Sequence, residues 1–148
     1  MAERRVAAER HIGVPAEHVY RLLTDFRAHH PQVLPPAFSD FKVEQGGVGA
    51  GTVHSFRLTA GGRTRAYRMR VDEPEPGRVF TETDQLSSAV TRFTVTPEAS
   101  GCRVRIETRW QGAGGVGGFF ERLFAPRVLR RIYADELGRL DRYARGAA

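Results

Sequence analysis

The segment Val116-Gly-Gly-Phe-Phe-Glu-Arg-Leu-Phe-Ala-Pro-Arg-Val-Leu-Arg-Arg-Ile-Tyr-Ala-Asp-Glu-Leu-Gly-Arg-Leu-Asp-Arg-Tyr143 decides the fold. Its apolar residues return every three or four positions, as they do on one face of an α-helix. Pro126 lacks an amide hydrogen and clashes with the preceding turn, so we expect a kink or a break of the helix there. One long apolar stripe needs one large apolar surface to lie on. The stripe consists of Phe120, Leu123, Phe124, Val128, Leu129, Ile132, Tyr133, Leu137, Leu140 and Tyr143.

The chain before this helix supplies the surface as a sheet. From Phe38 onward apolar residues alternate with polar ones at a period of two, which predicts strands. The alternation is clearest from Cys102 to Trp110, where every second residue is charged. The expected strands are 3–12, 38–44, 52–60, 64–73, 78–84, 89–96 and 102–110.

Helices are expected between the first two strands. Pro15 suits the first turn of a helix that runs to about Phe26, and a further helical turn is expected between Arg27 and Pro36. Short turns make consecutive strands antiparallel, and helices that lie on one face of an antiparallel sheet define the α+β class. The expected order is β-α-α-β6-α, in a single domain that covers residues 1–148.

The composition is that of an ordinary globular protein, with 41% hydrophobic and 27% charged residues. A single cysteine, Cys102, excludes an internal disulfide. No apolar run is long enough to span a membrane, and the N-terminus lacks the apolar core of a signal peptide. We therefore expect a cytoplasmic protein.

The net charge of +6 comes almost entirely from arginine, because Lys42 is the single lysine among 23 basic residues. Many arginines alternate with apolar residues on predicted strands, which is typical of a solvated outer sheet face. Nucleic acid is therefore not the expected partner, although an RNA- or ribosome-associated module that uses this face stays an open alternative. The arginines of this outer face are Arg68, Arg70, Arg103, Arg105 and Arg109.

Four segments resemble the START-like (SRPBCC) superfamily, close to its polyketide cyclase/dehydrase and lipid-transport families. They are Val14-Pro-Ala-Glu-His-Val-Tyr-Arg-Leu-Leu-Thr-Asp-Phe26, Gly46-Gly-Val-Gly-Ala-Gly-Thr-Val53, Pro76-Gly-Arg-Val79 and the closing helix. Together they cover nearly the whole chain. The resemblance implies a helix-grip fold, in which about seven curved antiparallel strands wrap around the C-terminal helix and leave a cavity.

The strand alternation and the resemblance together suggest the residues of a ligand site. Side chains that share the face turned toward the helix are candidates for the cavity wall, and two more are candidates for its mouth. The wall candidates are His54, Phe56, Tyr67, Met69, Phe93 and Trp110, and the mouth candidates are Leu34 and Phe124. On the closing helix, we expect Leu129, Ile132, Leu137 and Leu140 to clamp the sheet, and 119–124 to border the cavity.

His54 and Tyr67 are the inward residues that offer acid–base chemistry. A histidine on an apolar face is more often satisfied by a backbone carbonyl or a water than it is a ligand contact, so both interpretations stay open. For the strand 78–84 the sequence does not decide which face is turned inward, because the adjacent residues Val79 and Phe80 are both apolar and point to opposite faces. Glu82 and neighbouring acids matter to the site only if their side of the strand faces inward.

No cofactor or metal is expected. Gly112-x-Gly114-x-x-Gly117 matches the dinucleotide fingerprint, but the chain ends with the following helix and lacks the second parallel strand, so we interpret this segment as a loop. The five histidines show no metal-binding spacing, because two are adjacent and the others fall on three different elements.

The sequence thus predicts a protein that binds a small, mostly apolar, lipid-like or polyketide-like molecule between the sheet and the C-terminal helix. The first alternative is a cofactor-free polyketide aromatase/cyclase or dehydratase that acts in the same cavity, as the resemblance implies. Both a monomer and a homodimer are compatible with the sequence.

Overall fold

A computed structural model describes residues 3–112 and 115–147, with the backbone alone for 115–124 and 147. A curved antiparallel sheet of seven strands surrounds a long C-terminal helix, which confirms the α+β helix-grip fold. The elements are β1 (Glu3–Ile12), α1 (Ala16–Thr24), a 3₁₀ turn (His30–Val33), β2 (Phe38–Gln45), β3 (Val53–Ala60), β4 (Arg63–Glu75), β5 (Val79–Asp84), β6 (Val90–Glu98), β7 (Gly101–Gln111) and α2 (Gly115–Ala147).

The strand order in the sheet is β1-β7-β6-β5-β4-β3-β2. Five hairpins join consecutive strands from β2 to β7, while β1 pairs with β7 along its whole length, from Glu3 opposite Gln111 to Ile12 opposite Cys102. The β3–β4 turn requires glycine, because Gly61 and Gly62 have φ values of 60° and 79°.

The inner face of the sheet and the two helices enclose the core. Apolar side chains of β1, β6 and β7 face α1 and the C-terminal half of α2, where Leu137 and Leu140 are fully buried. Leu129 and Ile132 are half-buried against the same cluster. Ile132, Leu137 and Leu140 pack against the sheet as the apolar stripe predicts. Leu129, in contrast, also lines the cavity between the sheet and α2, so the cavity extends past Pro126. The side chains of 119–124, the expected border of the cavity, lie outside the described residues.

The structure corrects two details and decides a third that the sequence left open. The helix α2 continues through Pro126, so the chain does not break there. It begins at Gly115, and Gly117 therefore belongs to the helix rather than to the predicted loop. On β5 the buried side chains from Phe80 onward are Phe80, Glu82 and Asp84, so the acids occupy the inner face. Apolar alternation does not reveal this, because Val79 is buried as well.

Candidate functional site

A cavity of about 1040 Å³ lies between the inner face of the sheet and α2. Seven of the eight predicted ligand residues line it, and the side chain of the eighth, Phe124, lies outside the described residues. That they contact a ligand stays a prediction. The seven are Leu34, His54, Phe56, Tyr67, Met69, Phe93 and Trp110.

Apolar groups form most of the wall. Phe56, Leu58 and Met69 pack together on β3 and β4, and Phe93 and Ile106 continue the wall across β6 and β7. The exposed lining residues lie at the β3–β4 turn, at the β5–β6 turn and at the end of β7, and they mark the mouth of the cavity. The opposite, inner end is polar.

The first polar pair of the inner end joins β3 to β5. His54 Nε2 donates a hydrogen bond of 2.8 Å to Glu82 Oε2, and both side chains are buried. The carboxylate accepts this bond, so it fixes a proton on Nε2. His54 Nδ1 is buried and has no hydrogen-bond partner among the described residues. In the neutral imidazole Nδ1 is then a free acceptor on a residue that lines the cavity.

The second pair joins the 3₁₀ turn to α2. His30 Nδ1 donates to the Leu23 carbonyl oxygen at 2.6 Å, and His30 Nε2 lies 3.6 Å from Glu136 Oε2. That distance is too long for a hydrogen bond, and Glu136 Oε2 has no other hydrogen-bond partner in the described part of the chain. Both residues line the cavity and are buried, so this carboxylate oxygen is an unused polar group.

The ring of Phe26 lies between the two imidazoles. Its centroid is 4.8 Å from that of His30 and 4.8 Å from that of His54, with interplanar angles of 16° and 21°. Phe26 is fully buried, and Phe80 meets it edge-on with centroids 6.0 Å apart. The three stacked rings therefore hold both histidines in fixed orientations at the inner end.

Burial and charge shift the pKa values of this cluster in opposite directions. Burial raises the pKa of Glu82, but the hydrogen bond from His54 and the electrostatic interactions with the two histidines outweigh it, and its pKa is lowered. Burial lowers the pKa of His30, but the nearby Glu136 and Glu82 carboxyls outweigh it, and its pKa is raised. Burial raises the pKa of Glu136 more than His30 lowers it. The His30–Glu136 pair therefore holds a proton more strongly than the unfolded chain does.

The free energy of unfolding is therefore expected to fall as the pH rises above the ordinary pKa values of these two groups. Glu136 and His30 have raised pKa values, so their contributions are complete below the ordinary values of 4.5 and 6.5 and are lost as the pH rises through the folded values. Between the ordinary and the folded value of a group, the extra proton held by the native state makes the stability fall by about 1.4 kcal/mol per pH unit. Urea unfolding at a series of pH values measures this slope.

Two substitutions at adjacent positions of α2 test which group causes this slope. Glu136→Gln removes the buried titrating carboxyl and is expected to flatten the slope, whereas Asp135→Asn changes an exposed neighbour and is expected to keep it. An unchanged slope in the Glu136→Gln variant would show that other groups bind the proton.

A chain of hydroxyl groups connects α2 to strands β7 and β6 at the wall of the cavity. Tyr133 Oη hydrogen-bonds to Thr108 Oγ1, which lies 2.7 Å from Thr91 Oγ1. Burial raises the pKa of Tyr133, so its hydroxyl stays neutral. Tyr67, the other candidate for acid–base chemistry, is half-buried and stacks on Phe56 with centroids 5.3 Å apart. Its position on the wall suits contact with a ligand more than proton transfer in the buried cluster.

Sequence reasoning missed three polar residues of the site, His30, Tyr133 and Glu136, and it left Glu82 dependent on the undecided inward side of its strand. One signal was available for Glu136, because an acid at that position lies three residues after Tyr133 and interrupts the apolar stripe of α2. His30 offers no such signal. It lies in an irregular segment, and only the fold turns it inward.

The chain matches the family described as polyketide cyclase/dehydrase and lipid transport over residues 3–145. It belongs to this family. The solution structure of the KanY protein is similar over 98% of this chain and 99% of KanY, with 34% identity and a TM-score of 0.87. A search of curated proteins finds no significant match.

Two structures with lower sequence identity share the fold over nearly their whole length. The protein TTHA0849 from Thermus thermophilus covers 98% of this chain at 20% identity, with a TM-score of 0.82 and 99% of its own chain aligned. The Zhui aromatase/cyclase from a Streptomyces species covers 97% of this chain at 18% identity, with a TM-score of 0.73 and 94% of its own chain aligned. At these identities the likeness shows the fold.

The described residues also limit other kinds of site. They contain no group of three or more His, Cys, Asp or Glu side chains that could hold a metal ion. Within the same ranges, no helix is long and apolar enough to cross a membrane. On the outer face of the sheet, Arg68 forms an ion pair with Glu44, and Arg103 and Arg105 form ion pairs with Glu9. These carboxylates offset part of the positive charge that an RNA partner would need.

Proposed function

We propose that this protein binds a small, mostly apolar molecule in the cavity between the sheet and α2. The observation that carries the proposal is the cavity itself, with about 1040 Å³ of space, apolar walls and a polar inner end. Cavities of this size and lining suit an organic ligand with a few polar groups.

The arrangement of polar groups supports one orientation of that ligand. The free Nδ1 of His54 and the Glu136 carboxyl lie at the inner end, among fully buried rings. A ligand group that can donate a hydrogen bond, such as a hydroxyl, would satisfy these buried acceptors, which are costly to leave unpaired. The apolar body of the ligand would then lie along Phe56, Met69 and Phe93.

Occupying the cavity with a larger side chain is expected to weaken ligand binding. Val128 of α2 is half-buried and lines the cavity, so an indole at this position would fill space that the ligand needs. We expect Val128→Trp to weaken binding of the neutral fluorescent probe N-phenyl-1-naphthylamine by about tenfold or more, which corresponds to about 1.4 kcal/mol. Fluorescence titration measures the affinity.

The control introduces the same side chain on the solvent side of the helix. Arg131 is exposed and does not line the cavity, so Arg131→Trp is expected to change the affinity by less than about twofold. Failure of the wild-type protein to bind the probe, or equal affinities in the two variants, would argue against a ligand cavity.

A second candidate function is proton-transfer catalysis of a cyclase type. It is favoured by the Nδ1 atom of His54, a buried free acceptor whose imidazole is oriented by Glu82. This atom would take a proton from the carbon between two carbonyls of a polyketide-like chain. The C–H electrons form an enolate, which adds to a second carbonyl carbon, and the His54 proton passes to the resulting alkoxide.

Under this second candidate, His54→Gln is expected to slow cyclisation of a linear poly-β-ketone thioester by about 10²- to 10⁴-fold. Glutamine keeps a polar group of similar size but cannot take the proton, so the affinity for N-phenyl-1-naphthylamine is expected to stay within about threefold. Product formation is followed by chromatography. An unchanged turnover in the variant rejects His54 as the base and leaves ligand binding as the function.

A further inference from the structure

Two arginines continue the inner face of the hairpin beyond its apolar wall. In β3 and β4, Phe56 pairs with Tyr67, Leu58 with Arg65 and Ala60 with Arg63. Residues that face each other across two strands point to the same side of a sheet, and every second residue of a strand shares that side. Arg63 and Arg65 therefore lie on the cavity side, and both line the mouth of the cavity.

No carboxylate of the described side chains occupies these arginines. Neither forms an ion pair with a carboxylate in the described part of the chain, whereas Arg68 and Arg70 on the outer face of the same strand pair with Glu44 and Asp72. The Arg65 guanidinium lies 5.9 Å from the centre of the Tyr67 ring, which holds it against the cavity wall. Arg63 is exposed at the turn beside it.

Charge is thus segregated along the cavity. Among the described residues that line it, the carboxylates are Glu82 and Glu136, both at the inner end, and the arginines are Arg63 and Arg65, both at the mouth. In the inner end, an anionic group would lie beside two acidic side chains that already face the two histidines. The same group at the mouth would meet two guanidinium groups in contact with water, where an anion loses less hydration.

We propose that the ligand carries an anionic group, a carboxylate or a phosphate ester, at the end opposite to its hydrogen-bonding end, and that Arg63 and Arg65 bind it at the mouth. This inference rests on the proposed ligand-binding function and deepens it. Arg65 lies four residues before Met69, which pairs with His54, so the anion lies roughly 13 Å along the strand from the inner end. An amphipathic chain of about twelve carbons has a suitable length.

A matched series of twelve-carbon compounds tests the proposal. Dodecanol, dodecanoate and dodecyl phosphate, each below its micelle concentration, displace N-phenyl-1-naphthylamine from the protein. We expect at least one of the two anions to bind about tenfold more tightly than dodecanol, since two guanidinium groups would form charge-assisted hydrogen bonds with it. Tighter binding of dodecanoate identifies a carboxylate ligand, and tighter binding of dodecyl phosphate identifies a phosphate ester.

Two double variants separate local binding from net charge. Arg63→Gln/Arg65→Gln is expected to lose the advantage of the anion and to keep the affinity for dodecanol. Arg68→Gln/Arg70→Gln removes the same charge from the outer face and is expected to keep the advantage. Dodecanol also reports whether the cavity of each variant is intact.

The outcomes distinguish this inference from the function on which it rests. Binding of the probe and of dodecanol without an advantage for either anion overturns the inference and leaves the proposed function in place. The inference is also overturned if the Arg63→Gln/Arg65→Gln variant keeps the advantage, or if both double variants lose it equally. Absence of any binding to the wild-type protein overturns the proposed function as well.

Discussion

Replacement of Glu82 by methionine is expected to lower the free energy of unfolding by about 3 kcal/mol. The carboxylate accepts the 2.8 Å hydrogen bond from His54 Nε2, and both side chains are buried. Methionine has a similar volume but no acceptor, so the imidazole would keep a buried N–H group without a partner. Urea unfolding at pH 7 measures the loss.

Removal of both partners is expected to restore most of the stability. In His54→Leu/Glu82→Met the two polar groups are replaced by apolar side chains of comparable size, and such replacements are close to neutral. We expect the double variant to lie within about 1 kcal/mol of the wild-type protein. If Glu82→Met alone unfolds at the same urea concentration as the wild type, the pair is not coupled as the structure shows.

This comparison separates folding from function. If the double variant has nearly the free energy of unfolding of the wild-type protein, the fold does not depend on polar groups at the inner end of the cavity. The double variant would then be a folded protein without the free acceptor of His54, suited to measure what that atom contributes to ligand affinity.

The second large effect is expected at Phe26, whose replacement by alanine should lower the free energy of unfolding by about 4 kcal/mol. Its ring is fully buried between His30 and His54, with Phe80 against its edge. The removed ring leaves a void that three rigid aromatic neighbours are poorly able to fill. Urea unfolding measures the loss.

The matched control is Phe41, which also stacks on His54, with centroids 5.2 Å apart, but is half-buried and lines the cavity. Phe41→Ala is expected to cost less than half as much, because its ring is partly in contact with solvent. Equal losses in the two variants would mean that Phe26 has no special role in supporting the histidines.

The architecture and most of the cavity wall could be predicted because they follow from periodicity. Residues such as Phe56 and Met69 lie on strands whose apolar side chains alternate regularly, so the inward face is evident from the sequence. The resemblance to a known superfamily supplied the arrangement of the sheet around the helix. Periodicity also placed His54 correctly on the inner face.

The buried partners could not be predicted in the same way. Polar residues on an inner face break the apolar alternation. On β5 the face with Glu82 therefore looked no more apolar than the face with Val79, and the inward side stayed undecided. The long separation along the chain is the second obstacle, because Glu136 reaches His30 only after α2 has packed against the sheet. Such pairs depend on the tertiary structure and have no local signal.

The pairing of β1 with β7 also sets the order of events during synthesis. Glu3 lies opposite Gln111, so β1 finds its partner only after the roughly hundred residues up to β7 have been synthesised. At typical rates of translation this takes roughly 5 to 20 s. Until then β1 has no neighbour, and its charged residues keep it in water and away from other nascent chains. These residues are Glu3, Arg4, Arg5, Glu9 and Arg10.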